Sequence, residues 1–266
     1  MAITALHTAA TAMDALSTKI DVIANNIANA DTVGYKSSRA NFQDLLYQIM
    51  AQPGVQTGTD SSSPLGTQIG LGVAVSNTQI IFRQGSAIST GNTLDAMIQG
   101  EGFFKIELPD GGFGYTRAGN FVRNLDGELV LGNSFGYRLA DAPTVDTDIP
   151  LDRIGIGPNG EITAINTDGT QQTLGQIQLT RFPNPSGLVQ GGANIYLQSP
   201  ASGEPIEGNP GEDGLGMLMG GHLELSTTEA VTELVELIKT QRVFQMNSQT
   251  IQAADEALRV VANLRR

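Results

Sequence analysis

The chain contains no cysteine and no tryptophan, and only two histidines in 266 residues. Without cysteine there is no disulfide framework, no thiolate metal site and no cysteine nucleophile. His7 and His222 stand far apart with no ligand set around either, so neither a metal nor a catalytic role is expected and both read as surface residues. Basic residues are scarce as well: 15 Lys and Arg face 27 Asp and Glu, a formal net charge of −12. No basic run exists to follow a phosphate backbone, which speaks against nucleic-acid binding, and an acidic chain is not drawn to anionic lipid. Long apolar runs are missing, so no membrane insertion is expected. The first residues lack a basic leader, and Asp14, Lys19 and Asp21 interrupt their apolar pattern, so a cleaved secretory signal is not expected. Aromatics make up only 5% of the chain, which leaves any core to aliphatic side chains.

What is present is concentrated at the two ends. Leu6, Ala9, Met13, Leu16, Ile20, Ile23 and Ile27 recur at alternating spacings of three and four. Near the other end Leu237, Phe244, Ile251 and Leu258 stand seven apart, with Thr240, Asn247, Ala254 and Val261 between them and Leu234 leading the run. Each set lies along one seam of a helix, the pattern of a coiled-coil contact. The first helix is predicted from about residue 3 to 29, ended by Asn25, Asn26 and Asn29, then Asp31, then Gly34, which tolerates a left-handed backbone. The last helix is predicted to start at a capping box, Ser226-Thr227-Thr228-Glu229, and to run for about 37 residues, roughly 55 Å. Apolar groups outside the seams, among them Val22, Val235, Ile238, Val243 and Val260, need cover that two helices alone do not provide. Neighbouring copies of the chain can supply it.

Between the ends the pattern changes. Phe42, Leu45, Leu46, Ile49 and Met50 suggest a short amphipathic helix stopped by Pro53-Gly54. Residues 54–68 are small, polar and turn-prone, and read as a loop or extended arm. From about Val73 short alternating runs are separated by Asp110-Gly111, Asp126-Gly127, Asn159-Gly160 and Asp168-Gly169, the turn dipeptides of hairpins. Phe121–Arg123 and residues 128–131 flank one of these turns, and residues 162–165 and 176–180 flank another. Gly155-Ile156-Gly157-Pro158-Asn159-Gly160 fits a G-x-G-x-x-G pattern, but Pro158 and Asn159-Gly160 predict a hairpin where a dinucleotide fingerprint needs a helix. No nucleophile–base set, phosphate loop or full calcium loop appears, and no enzyme activity, cofactor or metal is expected. The fold class is α+β: discontinuous N- and C-terminal helices form a coiled-coil-like core domain from residues 1–30 and 226–266. Residues 31–89 and 200–225 connect it to an inserted antiparallel β-domain over 90–199.

Three stretches resemble the rod and hook axial proteins of the bacterial flagellum. DVIANNIANADTVGYK at 21–36 is similar to that family's N-terminal signature, an Asn-rich helix end before a Gly-aromatic-Lys turn, here Asn25, Asn26, Asn29, Gly34, Tyr35 and Lys36. TGNTLDAMIQGEGFF at 90–104, with LPDG at 108–111 and YTRAGNF at 115–121, resembles the opening of its β-domain. LVELIKTQRVFQMNSQTIQAADEAL at 234–258 resembles its C-terminal helix. Within the family, YQIMAQPGVQ at 47–56, which includes Tyr47, Gln52, Pro53 and Gly54, together with GTQIGLGV at 66–73 and LGQIQLTRFPNPSGL at 174–188, looks like the distal rod branch. Hook and proximal rod members are the alternatives. Met97 and Gln99 depart from the commoner small or Asn residues at the β-domain entry.

The resemblance implies a structural subunit of a rigid, hollow drive shaft that polymerises helically with copies of itself. It implies export through the flagellar type III apparatus as an unfolded chain without signal cleavage, and a location in the periplasm-spanning basal body. It also implies contacts with proximal rod and hook or hook-junction proteins and with the periplasmic and outer-membrane rings. The seam residues expected to carry self-assembly are Leu6, Met13, Leu16, Ile20, Ile23 and Ile27 in the first helix. In the last helix they are Leu234, Leu237, Phe244, Ile251, Leu258 and Val261.

Overall fold

A computed structural model describes residues 2–53, 65–165 and 170–264. It is an α+β structure with one helix at each end and mostly antiparallel strands between them. The chain divides into two compact units. The first comprises Met1–Ala28, Ser38–Gln79 and Ala230–Arg266, the second Asn29–Ser37 and Ile80–Glu229. The residues expected to form separate connectors are therefore shared out. Residues 31–37, 80–89 and 200–225 fall in the second unit and 38–79 in the first.

The first unit holds helix α1 (Ala2–Ala28), strands β1 (Ser38–Asp44), β2 (Tyr47–Ala51), β3 (Thr67–Gly70) and β4 (Val73–Ile80), and helix α2 (Ala230–Leu264). Neither helix contains glycine or proline, so no break interrupts the backbone ladder. Threonine hydroxyls fold back onto it, Thr8 to the Thr4 carbonyl at 2.8 Å and Thr240 to the Glu236 carbonyl at 2.7 Å. Ala9, Ala15 and Ile23 are buried on α1 and Thr240 on α2. Lys19 pairs with Glu236 at 2.5 Å, and the Asn26 amide donates to Glu233 at 3.1 Å. Rising numbers on α1 thus meet falling numbers on α2, and the helices run antiparallel. Continued at equal rise, that register brings the start of α1 opposite residues near 255, and α2 overhangs by its last two turns or so. Residues 255–260 are accordingly exposed.

The helix expected over Phe42–Met50 does not form. Strand β2 instead pairs antiparallel with β3, Tyr47 opposite Gly70 and Ile49 opposite Gln68. The apolar spacing found no surface to pack on: Leu46 is 83% exposed, Ile49 54% and Met50 59%. A hairpin satisfies the backbone without needing such a surface, and Tyr and Ile favour it. The hairpin returns to α1 at Gly72, whose φ is +120° and where an added Cβ would overlap the Thr11 hydroxyl. The capping box is also modified. Ser226 accepts the Thr228 amide at 3.1 Å, and the helix proper begins only at Ala230.

The second unit carries fifteen strands among the described residues. They are β5 (Ala87–Ser89), β6 (Ala96–Gln99), β7 (Phe103–Glu107), β8 (Phe113–Thr116), β9 (Phe121–Arg123), β10 (Leu129–Leu131), β11 (Ile154–Ile156) and β12 (Glu161–Ile165). There follow β13 (Gln171–Gln176), β14 (Leu179–Arg181), β15 (Val189–Gly192), β16 (Ile195–Leu197), β17 (Ile206–Gly208), β18 (Met217–Gly220) and β19 (His222–Glu224). Asp110-Gly111 turns β7 into β8, Asp126-Gly127 turns β9 into β10, and Asn159-Gly160 turns β11 into β12, each pair antiparallel. The G-x-G-x-x-G stretch is that last hairpin, with Gly160 at φ +82°. Asp168-Gly169 lies outside the described residues. The strand after it is Gln171–Gln176, paired with β12, while Leu179–Arg181 joins a different, six-stranded sheet in the order β15-β16-β8-β7-β14-β17. A mixed core gathers Ile98, Phe104, Ile106, Phe121, Ile162 and Leu179, with the Phe104 and Phe121 rings edge to face, so the few aromatics are drawn into the core and it is not purely aliphatic as expected. A second, aromatic cluster holds Phe103, Tyr115, Phe182 and Tyr196, packed edge to face.

Candidate assembly surfaces

Each unit presents features beyond ordinary packing. In the first it is the surface of α2. Leu237, Phe244 and Ile251 lie half-buried with Thr240 on the side of α2 that meets α1. Val231, Leu234, Val235, Ile238 and Met246 are 76%, 51%, 45%, 45% and 57% exposed. At 100° per residue they fall within about one third of the helix circumference, opposite the packed side. The helix is therefore apolar on two faces, and one of them has no cover. Leu258 shares the packed side but is 37% exposed, because it lies in the overhang. The side chain of Val261 lies outside the described residues. On α1, Ile23 is buried and Leu6, Met13, Leu16, Ile20 and Ile27 are half-buried.

The Asn-rich helix end has a specific task. Asn26 is 2% exposed, and its amide exchanges both hydrogen bonds with Ser38, donating to the carbonyl at 2.8 Å and accepting the N–H at 3.0 Å. A side chain thus pairs like a strand residue while the helix backbone continues. Asn29 accepts the Thr32 hydroxyl at 3.1 Å, and Asn25 is exposed. Of the rod-type residues, Tyr47 stacks its ring over Gly70 at 3.3 Å from the added Cβ position, Gln52 and Pro53 are exposed, and Gly54 is outside the described residues. Leu46, Tyr47, Ile49 and Met50 make this hairpin a second uncovered apolar surface.

In the second unit the feature is buried. Lys36 and Glu224, with side chains 1% and 0% exposed, pair at 2.6 Å. Lys36 also donates to the Arg83 carbonyl at 2.7 Å. The same Glu224 oxygen accepts the Gly85 amide at 2.7 Å and Gln84 at 3.1 Å. Arg117 approaches the other oxygen at 3.7 Å, donates to the Gly100 carbonyl at 2.9 Å, and lies over the Phe103 ring at 5.3 Å. Burial lowers the Lys36 pKa from its ordinary 10.5, and the carboxylate restores part of it; burial lowers Arg117 in the same way. Burial of the ring pushes the Tyr196 phenol up. Around the charges the backbone closes: Gly34 donates to the Glu224 carbonyl at 2.7 Å, Thr227 to the Tyr35 carbonyl at 3.0 Å, and Ser37 to the Thr227 hydroxyl at 2.9 Å. Gly34 has φ +68°, and a Cβ there would stand 2.6 Å from the Arg117 carbonyl carbon. The Gly-Tyr-Lys turn is thus the place where the entering and leaving ends of the second unit are joined.

Sequence reasoning found Lys36 but missed Glu224, Arg117, Gln84 and Thr227. A trace of Glu224 existed, a lone carboxylate between Leu223 and Leu225. His7 is exposed and His222 half-buried, with its Nδ1 2.9 Å from the Gly220 carbonyl. Among the described residues no group of three or more His, Asp and Glu is arranged to hold a metal, and no helix is long and apolar enough to cross a membrane. Charge is unevenly divided. The first unit has 8 acidic and 7 basic residues, the second 19 and 8, so the second carries −11 of the net −12.

The Lys19–Glu236 pair makes the helix pairing sensitive to acid. Its hydrogen bond with Lys19 holds the Glu236 carboxyl below its ordinary 4.5. A depressed carboxyl contributes stability above pH 4.5 that is lost as pH falls through the lowered value. Both groups are partly exposed, so the effect is modest. Protection factors of α1 amides, with the intrinsic pH dependence of exchange divided out, are expected to fall modestly below pH 4.5 in the wild type and not in Glu236→Gln.

Three family models match the chain in order. "Flagella basal body rod protein" matches residues 6–36, "Flagellar hook protein FlgE/F/G D1 domain" residues 97–164, and "Flagellar basal body rod FlgEFG protein C-terminal" residues 219–264. The flagellar basal-body rod protein FlgG of Agrobacterium fabrum is 43% identical over 97% of this chain and 98% of its own. FlgG of Borreliella burgdorferi is 40% identical over 98% of both chains, and that of Bacillus subtilis 38% identical over 98% of both. The matches take in the Asn26 turn, Lys36 and Glu224 together with both helices, and on that footing the chain belongs to the flagellar basal-body rod protein family.

Proposed function

We propose that this chain is the structural subunit of the distal rod, a non-enzymatic protein whose copies stack helically into a stiff, hollow shaft. The shaft transmits torque to the hook and leaves a bore for export. The observation that supports this most directly is the second apolar face of α2, uncovered in the free subunit. Contacts between unlike surfaces that do not close into a ring generate a filament, and helices packed at core density resist shear. In this reading the seams of α1 and α2 become a coiled-coil-like core, completed by neighbouring copies. The partners are the subunit itself, the proximal rod below, hook or hook-junction proteins above, the surrounding periplasmic and outer-membrane rings, and the type III export apparatus. The strongly acidic second unit gives a hydrated surface that does not adhere to such rings.

Electron microscopy of polymer assembled from purified subunits tests the reading. Straight tubes with helical density around a central channel are expected; amorphous aggregate or an inert monomer at high concentration overturns it. The hairpin refines the proposal. Leu46, Tyr47, Ile49 and Met50 are placed to wedge against an adjacent copy and remove play. Deletion of residues 47–68 is expected to give tubes that curve, seen as a fall in persistence length; equally straight, stiff tubes count against this role of the hairpin.

A further inference from the structure

We propose that residues 206–228 form a closing strap, without which the second unit does not order, and that the Lys36–Glu224 pair is its clasp. Every strand in this stretch pairs with one laid down before it, and β18 and β19 pair with strands more than a hundred residues earlier. Strand β17 forms the outer edge of the six-stranded sheet against β14, β18 pairs with β6, and β19 pairs with β5. Leu218 stands opposite Ile98, which is fully buried. Removing the strap takes Leu218 away from Ile98 and leaves β5 and β6 without their paired strands. The charges set a sharper condition. Among the described residues, Glu224 is the only carboxylate that pairs with Lys36 or with Arg117. Before residue 224 arrives, folding the remainder would bury two cations with no anion between them, a state that desolvation opposes strongly.

The contact is also late by topology. Lys36 and Glu224 are 188 residues apart, and closing so long a loop is an entropic cost met only when the strap's contacts form together. A chain emitted from its N-terminus would therefore keep this unit open until nearly all of it had emerged. That use of the strap rests on the export reading given above, whereas the strap itself rests on the geometry.

Pulse-labelled hydrogen exchange during refolding of the full chain from urea tests it. The Gly85 amide, which donates to Glu224, reports the clasp, amides of β6 report its pairing with the strap, and amides of β7 and β8 report the six-stranded sheet. They are expected to gain protection in one phase, with rates within about twofold. Protection of β6–β8 ahead of Gly85 by more than that overturns the proposal. A second measurement uses the absence of native cysteine. The Ser37 and Thr227 hydroxyl oxygens are 3.4 Å apart, so the double variant Ser37→Cys, Thr227→Cys can be oxidised to pin the strap before refolding begins. Pinning is expected to speed the protecting phase by about tenfold or more over the reduced form, because the long loop is already closed. Equal rates overturn the proposal. Both measurements use the free subunit, so polymerisation can fail without affecting them.

Discussion

Replacing Glu224 with alanine is expected to destabilise the second unit by about 3–5 kcal/mol, the usual cost of breaking a buried ion pair from one side. The carboxylate receives an ammonium at 2.6 Å, a backbone amide at 2.7 Å and a carboxamide at 3.1 Å, and a guanidinium lies 3.7 Å away. Alanine removes this shared acceptor from all of them at once, and Lys36 and Arg117, though each keeps one backbone carbonyl, are left buried with no counter-charge. Because most of the cost is the stranded cations, removing one of them as well should return part of it. Lys36→Met combined with Glu224→Leu should therefore be less destabilised than the two single variants sum to, by about 1–3 kcal/mol. Urea unfolding followed at the buried Tyr115 and Tyr196 measures both quantities. A loss below about 1 kcal/mol for Glu224→Ala, or strict additivity, would show that the cluster is not energetically coupled.

The second large effect concerns assembly alone. Ile238→Asp is expected to leave the monomer within about 0.5 kcal/mol of wild type, since the position is already 45% exposed and away from α1. It should nonetheless raise the concentration needed for polymerisation at least a hundredfold. Covering isoleucine in a neighbour contributes about 1.5–3 kcal/mol, and an unpaired carboxylate in the same contact adds a desolvation cost of similar size or larger. Sedimentation of polymer against subunit concentration reads the change. Lys239, one residue round the helix, has a side chain 68% exposed and only a 3.7 Å contact with Glu236 to lose. Lys239→Gln changes the charge by the same one unit and should shift the threshold far less. Equal thresholds for Ile238→Asp and wild type would remove the outward face of α2 from the proposed interface.

How much of this was readable beforehand depended on how local the signal was. Helix α1 came within a residue of its observed ends because twenty-seven residues without glycine or proline carry one consistent spacing, and an Asn-rich end stops it. The hairpins at Asp110, Asp126 and Asn159 were equally local. The stretch from Phe42 to Met50 failed for a physical reason: nine residues fit helical and extended spacing alike, and only the lack of a surface to pack on decides between them. The apolar seams were visible, but which face of α2 stays uncovered depends on the antiparallel register fixed by Lys19 and Asn26. The Lys36–Glu224–Arg117 cluster was the least visible. Its members come from three distant stretches, and nothing in the neighbourhood of Lys36 names a partner 188 residues away.

The uneven division of charge has a consequence for growth. Stacking many copies of a polyanion normally accumulates mutual repulsion with every addition. Here the unit bearing the uncovered apolar faces is close to neutral, so that repulsion is largely confined to the other half of each molecule. At 0.1 M salt, where fields fade over about 10 Å, its reach is short. In the proposed polymer, lengthening would be relieved of a penalty that otherwise rises with size, and the acidic unit would oppose clumping of one assembly with another.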